Sequence, residues 1–330
     1  MNEPTCNLIL DSTCDLPRYI WDKPGIDMLH FTYTEGEDTY LDDLFESRTP
    51  HDFYEWMRTG AAPLTSQPTQ AEFTETFTKA LESGIPTVYL AFGHALSGCY
   101  EGAMVVYQQL VEEHGPDIPL YVVDTMLPCT PQGLLVAEAI RLRDTGMTAE
   151  ELVAWVEEAC YFVNVMFMVD DFKSLAHGGR IPSGVAVAGN KLDMKPMLSI
   201  DIEGALTFVG MARGRKKGIK RLLEHFEKNH SAEGDVLYVS TGSADCPHDA
   251  ERLSSMIRDI DDRIVLIEHD IGPTIGSHVG PGMISLAFWG PDRRERMSIS
   301  DRIANKVKSS QGSFAVKQKD AQADNEETDR

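Results

Sequence analysis

Short apolar runs and helical periodicities alternate along the first half of the chain. Cys6 to Leu10 reads as a buried strand that stops at Asp11-Ser12-Thr13, and Ile26 to Tyr33 is a weaker strand candidate. A helix is expected after Pro50. Thr69 and Glu72 have the spacing of a capping box ahead of Phe73, Phe77 and Leu81, which predicts a helix start. Thr87 to Phe92 follows as a strand, then a glycine-bounded loop, then a helix from about Ser97 to Glu113. Leu120 to Val123 is the next strand, with helices from about Pro131 to Arg143 and from about Ala149 to Phe162. Strands alternating with helices predict βαβ units and a parallel sheet.

Near residue 165 the pattern changes. Val163 to Val169 is a strand, followed by the turn His177-Gly178-Gly179-Arg180 and a short helix near Gly184. Met197 to Ile202 and Ala205 to Met211 form a hairpin pattern around Glu203-Gly204. A basic helix opens near Arg215, Val236 to Ser240 and Ile264 to Ile267 flank another helix, and Gly276 to Gly282 lead into a last strand, Met283 to Trp289. The fold class expected is α/β: an N-terminal parallel-sheet α/β domain over residues 1–164 and a smaller α+β C-terminal domain over residues 165–292. Residues 293–330 turn polar, and QKDAQADNEETDR at the end has the composition of a disordered tail.

With 330 residues, 42% hydrophobic and 25% charged, the chain has ample material for a packed core. The longest apolar stretch, Cys160 to Val169, is too short to span a bilayer and contains Asn164. The start, MNEPTCNLIL, has no basic segment or cleavage site, so a cytoplasmic protein without stable membrane insertion is expected. Six cysteines without paired spacing fit free thiols, with no metal site. The net charge of −22 argues against nucleic-acid binding. Against that background residues 173–220 hold 9 bases and 3 acids, a basic island.

Candidate chemistry lies where strands end. Asp11-Ser12-Thr13, Thr65-Ser66-Gln67-Pro68 and Ala95-Leu96-Ser97-Gly98 are hydroxyl-bearing loops at such places. Ser97 has the look of an N-cap, its hydroxyl beside the amides of Gly98 and Cys99, where a small anion could sit. His278 stands in a glycine-bounded segment, Arg180 follows two glycines, and Arg213 and Arg215 precede or open a helix, where cations oppose the helix dipole. No phosphate-binding loop, dinucleotide fingerprint, zinc-protease motif or nucleophile elbow occurs.

These segments together resemble the bacterial DegV family, the fatty-acid-binding subunits of fatty acid kinase. The resemblance rests on DSTCDLP (Asp11 to Pro17), TSQPT (Thr65 to Thr69), ALSGCY (Ala95 to Tyr100), VVDT with QGLLV, VDDFKSLAHGGRI (Val169 to Ile181), KPML (Lys195 to Leu198), RGRKK (Arg213 to Lys217) and IGPTIGSHVGPG (Ile271 to Gly282), in the family's order over about residues 5–290. Gly93-His94 depart from the two small residues that family members often carry before LSG. The resemblance implies a protein that buries one long-chain fatty acid and holds its carboxylate with Thr65, Ser97 and His278, supported by Arg180. A separate ATP-dependent kinase subunit would phosphorylate that carboxylate, giving acyl phosphate for phospholipid synthesis, with Arg213 or Arg215 at the kinase step. No cofactor besides the lipid ligand is implied, and the protein is not catalytic alone. Val185, Ala186, Met194, Met197, Met211, Met283 and Ile284 are candidates for the acyl tunnel. The alternative from another class is a serine hydrolase or acyltransferase using Ser97 and His278.

Overall fold

In chain order the first elements are β1 (Asn7–Asp11), α1 (Arg18–Trp21), β2 (Ile26–Leu29), β3 (Thr32–Glu35), β4 (Asp38–Leu41), α2 (Pro50–Arg58) and β5 (Thr65–Ser66). They continue with α3 (Gln70–Ser83), β6 (Thr87–Ala91), α4 (Cys99–His114), β7 (Leu120–Asp124), α5 (Cys129–Asp144) and α6 (Ala149–Ala159). Strands β2-β1-β6-β7 form a four-stranded sheet, parallel throughout. β6 is buried at every position, as a parallel strand covered on both faces must be. The computed structural model describes residues 4–181 and 193–296.

The second part runs β8 (Val163–Met168), α7 (Lys173–His177), β9 (Met194–Ile200), β10 (Leu206–Arg213), α8 (Arg215–Asn229), β11 (Leu237–Ser243), α9 (Pro247–Arg258), β12 (Ile264–Asp270), α10 (Pro273–Val279) and β13 (Ile284–Trp289). Its six-stranded sheet has the order β10-β9-β8-β13-β11-β12, antiparallel except for the β11–β12 pair. Side chains alternate across it. Met168, Met197, Ile284, Leu286 and Phe288 join a core with α8 and α9, whereas Val165, Phe167, Leu198, Ile200 and Ala287 join the large core shared with the N-terminal elements. A register shift between Phe208 and Gly210 reverses the alternation along β10, so Leu206 belongs to the large core and Ala212 to the other. Helix α5 packs on β8, β11 and β13, and most of its residues are buried.

The helix expected from Thr69 has its capping box, and a second box at Thr148 and Glu151 opens α6. The single strand expected over Ile26 to Tyr33 is two strands in two sheets. Ser12 Oγ accepts from the Phe31 amide at 3.0 Å between them, and β3 then pairs antiparallel with β4 and β5. That three-stranded sheet had no sequence signal, because β4 is exposed at all four positions and shows no apolar alternation.

Residues up to Pro291 form one compact unit, and another begins at Asp292. Of the latter, residues 292–296 are described, with Arg294 Nη2 donating to Asp292 at 2.7 Å. The polar tail beyond 296, the helix expected near Gly184, and Val185 and Ala186 lie outside the described residues.

Candidate functional site

Four segments, a short strand, two turns or loops and a helix end, meet at one cavity of about 330 Å³. Thr65 reaches it from β5, held by pairing with Tyr33 of β3. Ser97 comes from the loop after β6, Arg180 from the turn after α7, and His278 from the last turn of α10. Thr65 Oγ1 and His278 Nε2 are 2.8 Å apart, although the residues are 213 positions apart in sequence. Arg180 Nε donates to the Leu96 carbonyl at 3.1 Å and Nη1 to that of Gly178 at 2.5 Å, which ties the guanidinium to the Ser97 loop. Its Nη2 makes no hydrogen bond among the described residues. All four side chains are half-buried.

The cap at α4 is shifted by one residue from the sequence expectation. Gly98 is the N-cap, yet Ser97 Oγ still accepts from the Cys99 amide at 3.2 Å. Gly98 and Gly102 leave room for the Gln67 side chain, which also lines the cavity; a Cβ at 98 would stand 3.1 Å from Gln67 Oε1. Gln67 lay unremarked inside the quoted TSQPT segment.

Burial, and then the charges of Arg180 and His177, lower the His278 pKa from 6.5 to about 4. The ring is therefore neutral at pH 7. Its Nδ1 is buried and has no hydrogen-bond partner among the described residues. Placing the proton on Nε2 leaves no orphaned N–H, since Nε2 then donates to Thr65 Oγ1. The Thr65 hydroxyl hydrogen is thereby free to point into the cavity. An unpaired guanidinium edge, two hydroxyls and a neutral imidazole make this end suited to an anion.

The remaining walls are mostly apolar, from Phe31, Phe92, Val165, Phe167, Ile200 and Leu206 among others. Of the tunnel candidates within the described residues, Met283 alone lines the cavity. Met197 and Ile284 face the opposite side of the sheet and belong to the α8–α9 core. Met194 and Met211 lie on β9 and β10 away from the lining. For Met197 and Ile284 strand parity decides this, and it is invisible until register is known.

In the polar part of the wall, Thr13 belongs to the Asp11-Ser12-Thr13 loop named from the sequence, whereas Thr130, Ser285 and Cys129 were missed. These groups are satisfied from behind. Thr130 Oγ1 and Ser285 Oγ are 2.6 Å apart, and Cys129 Sγ donates to Asp15 at 2.9 Å. Thr13 donates to Asp11, which also accepts from the Phe92 amide at 2.8 Å and Tyr89 OH at 3.1 Å. Burial pushes the Asp11 carboxyl and the Cys129 thiol up, the latter strongly, so Cys129 is a poor nucleophile.

The two basic-island residues are elsewhere. Arg215 is fixed by Asp170, Asp249 and the Gly282 carbonyl, which it meets at 2.8 Å. Arg213 is exposed at the end of β10 and makes no ion pair among the described residues. His94 pairs with Asp124 at 2.5 Å and does not line the cavity.

Among the described residues no helix is long and apolar enough to cross a membrane. A family model described as an uncharacterised protein of the DegV family matches residues 5–290. A DegV domain-containing protein of Clostridium perfringens is 35% identical over 285 residues, covering 86% of this chain and 97% of the relative. Among solved structures, a DegV family protein from Thermus thermophilus, described for its fatty acid binding, superposes with a TM-score of 0.75 at 28% identity, covering 87% of this chain and 100% of that one. A DegV lipid binding protein from Thermotoga maritima gives 0.74 at 28% identity, covering 88% and 99%.

Proposed function

The chain belongs to the DegV family, and on that premise we propose that it is a fatty-acid carrier whose cavity buries one acyl chain and whose polar end holds the carboxylate. The observation that carries this reading is the pairing of apolar walls with one anion-suited end formed by Thr65, Ser97, Arg180 and His278. Each buried methylene contributes roughly 0.8 kcal/mol. About 14 methylenes would give a gross ~11 kcal/mol before association and ordering costs. The chain thus supplies affinity, and the hydroxyls, imidazole and guanidinium supply orientation.

Orientation matters because the carboxylate is the reacting group. In this reading a separate ATP-dependent kinase subunit brings the phosphoryl donor. A carboxylate oxygen attacks the γ-phosphorus, the bond to the bridging oxygen breaks, and ADP leaves with the bonding pair. The product is acyl phosphate, an activated acyl donor for phospholipid synthesis. Because the four polar residues are half-buried, the carboxylate is held without being sealed in. Arg213, exposed and without an ion pair among the described residues, is the better candidate for the kinase contact; Arg215 already has three partners.

A serine hydrolase needs a base at Ser97. His278 Nε2 is engaged with Thr65, and Ser97 makes no hydrogen bond with His278 among the described residues. The deciding experiment loads the protein with labelled oleate, adds a fatty acid kinase subunit and ATP, and traps acyl phosphate with hydroxylamine. The carrier reading expects hydroxamate only when all components are present. In Ser97→Ala it expects about fivefold weaker oleate binding, for a loss of ~1 kcal/mol, with product still formed. A covalent acyl adduct on wild-type protein, absent from Ser97→Ala, would favour the hydrolase.

A further inference from the structure

The turn after α7 contains two adjacent glycines that are there for different reasons. Gly179 has φ +69°, and among the described residues nothing lies within 4 Å of an added Cβ, so its requirement is backbone conformation. Gly178 has an ordinary right-handed backbone, φ −75° and ψ −4°, which any residue can adopt. What singles out Gly178 is space. A Cβ there would run into His278 Nδ1 and would lie 2.9 Å from Cε1 and 3.2 Å from Cγ of the same ring. All three nearest atoms belong to His278.

The ring is thus held between two surfaces. Its Nε2 edge meets Thr65, and its Nδ1 edge, buried and without a hydrogen-bond partner among the described residues, lies on the bare Cα of Gly178. The same glycine accepts from Arg180 Nη1 through its carbonyl, and its own amide donates to the Ser174 carbonyl at 2.9 Å. Gly280 beside Ser174 allows a second close approach between α7 and α10, since a Cβ there would meet Ser174 Oγ at 2.6 Å.

We propose that Gly178 is a positioning residue of the carboxylate site, whose missing side chain seats His278 against Thr65 while its carbonyl aims Arg180. The proposal rests on the fatty-acid reading above. It acts through other groups: Gly178 need not touch ligand. Any side chain at 178 would push the imidazole off its seat and pull Nε2 from Thr65. The Thr65 hydroxyl would then lose the donor that sets its direction.

The test is a double-mutant cycle on oleate affinity with Gly178→Ala, His278→Ala and the double variant. Gly178→Ala should weaken binding tenfold or more, close to the loss in His278→Ala, and the double variant should be no weaker than His278→Ala because the methyl then occupies vacated space. Gly179→Asn, which tolerates a left-handed backbone and whose Cβ meets no neighbour among the described residues, should bind as wild type does. NMR titration of His278 in Gly178→Ala should show the ring moved back toward its ordinary pKa from the depressed value near 4. Wild-type affinity in Gly178→Ala, or losses that multiply in the double variant, would overturn the proposal. If Gly178→Ala does not fold, recovery of folding on adding His278→Ala supports the contact, and failure to recover overturns it. Absence of oleate binding in wild type would instead defeat the carrier reading itself.

Discussion

On one face of the six-stranded sheet, Met168, Met197, Ile284, Leu286 and Phe288 pack against α8 and α9; on the other, Val165, Phe167, Ile200, Leu206 and Ser285 border the cavity. The same strands contribute to both, alternate residues taking opposite roles. The packed face is mostly apolar, with Asn164 and Thr241 set opposite Phe288 and Leu286. The cavity face mixes apolar side chains with hydroxyls already bonded to partners, as Ser285 is to Thr130. A sheet can therefore devote one face to stability and the other to a ligand without separate elements for each.

The largest expected effect breaks this comparison on the packed side. Phe288→Ala removes a 1% exposed ring that meets Phe226 edge-on at 5.1 Å, and should cost about 3–5 kcal/mol in denaturant unfolding. Oleate affinity of the folded fraction should be unchanged. Ile200→Trp acts on the other face. Filling space that about three methylenes would use should weaken binding of long chains by ~2–3 kcal/mol while leaving shorter acids less affected. A result in which the two variants exchanged effects would show that the faces are not divided in this way.

A smaller effect separates two buried titrating groups. His278 has its pKa lowered to about 4 by burial, whereas the unfolded chain has an ordinary imidazole near 6.5. Between those values the unfolded state binds the proton that the folded state refuses, so this group lowers stability as pH falls from 6.5 to 4. Asp42, raised to about 6 by burial, has the opposite sign: its folded form takes up a proton first, so it adds stability as pH falls from about 6 toward the ordinary carboxylate range. His278→Gln should remove the first slope and keep the second. Relative to wild type without lipid, its stability should improve by on the order of 2 kcal/mol between pH 7 and pH 5 in pH-resolved melts.

Much of this was legible in the sequence because it is local. The capping box at Thr69 and Glu72, the apolar run ending at Asp11 and the hairpin around Gly204 each lie within a few residues, and the parallel sheet followed from their order. Thr65, Ser97, Arg180 and His278 stood out by position and were joined as one ligand set only through the resemblance; their meeting at one cavity depends on pairings such as β5 with β3 that spacing cannot reveal. The glycine-bounded segment around His278, expected only to lead into the last strand, contains a seven-residue helix, its N-terminal amides at Gly272 and Thr274 held by Asp15 and Asp42 from the far end of the chain. Met197 and Ile284 were misplaced because parity relative to the cavity is set by register. The bonded hydroxyls of Thr130 and Ser285 were missed because each looks like an ordinary polar residue until its neighbours are known.

Native mass spectrometry of the purified protein tests the central claim most directly. The account predicts a mass increment of one long-chain fatty acid per chain, removed by delipidation and regained on incubation with oleate. A bare polypeptide mass that stays unchanged after that incubation would contradict it.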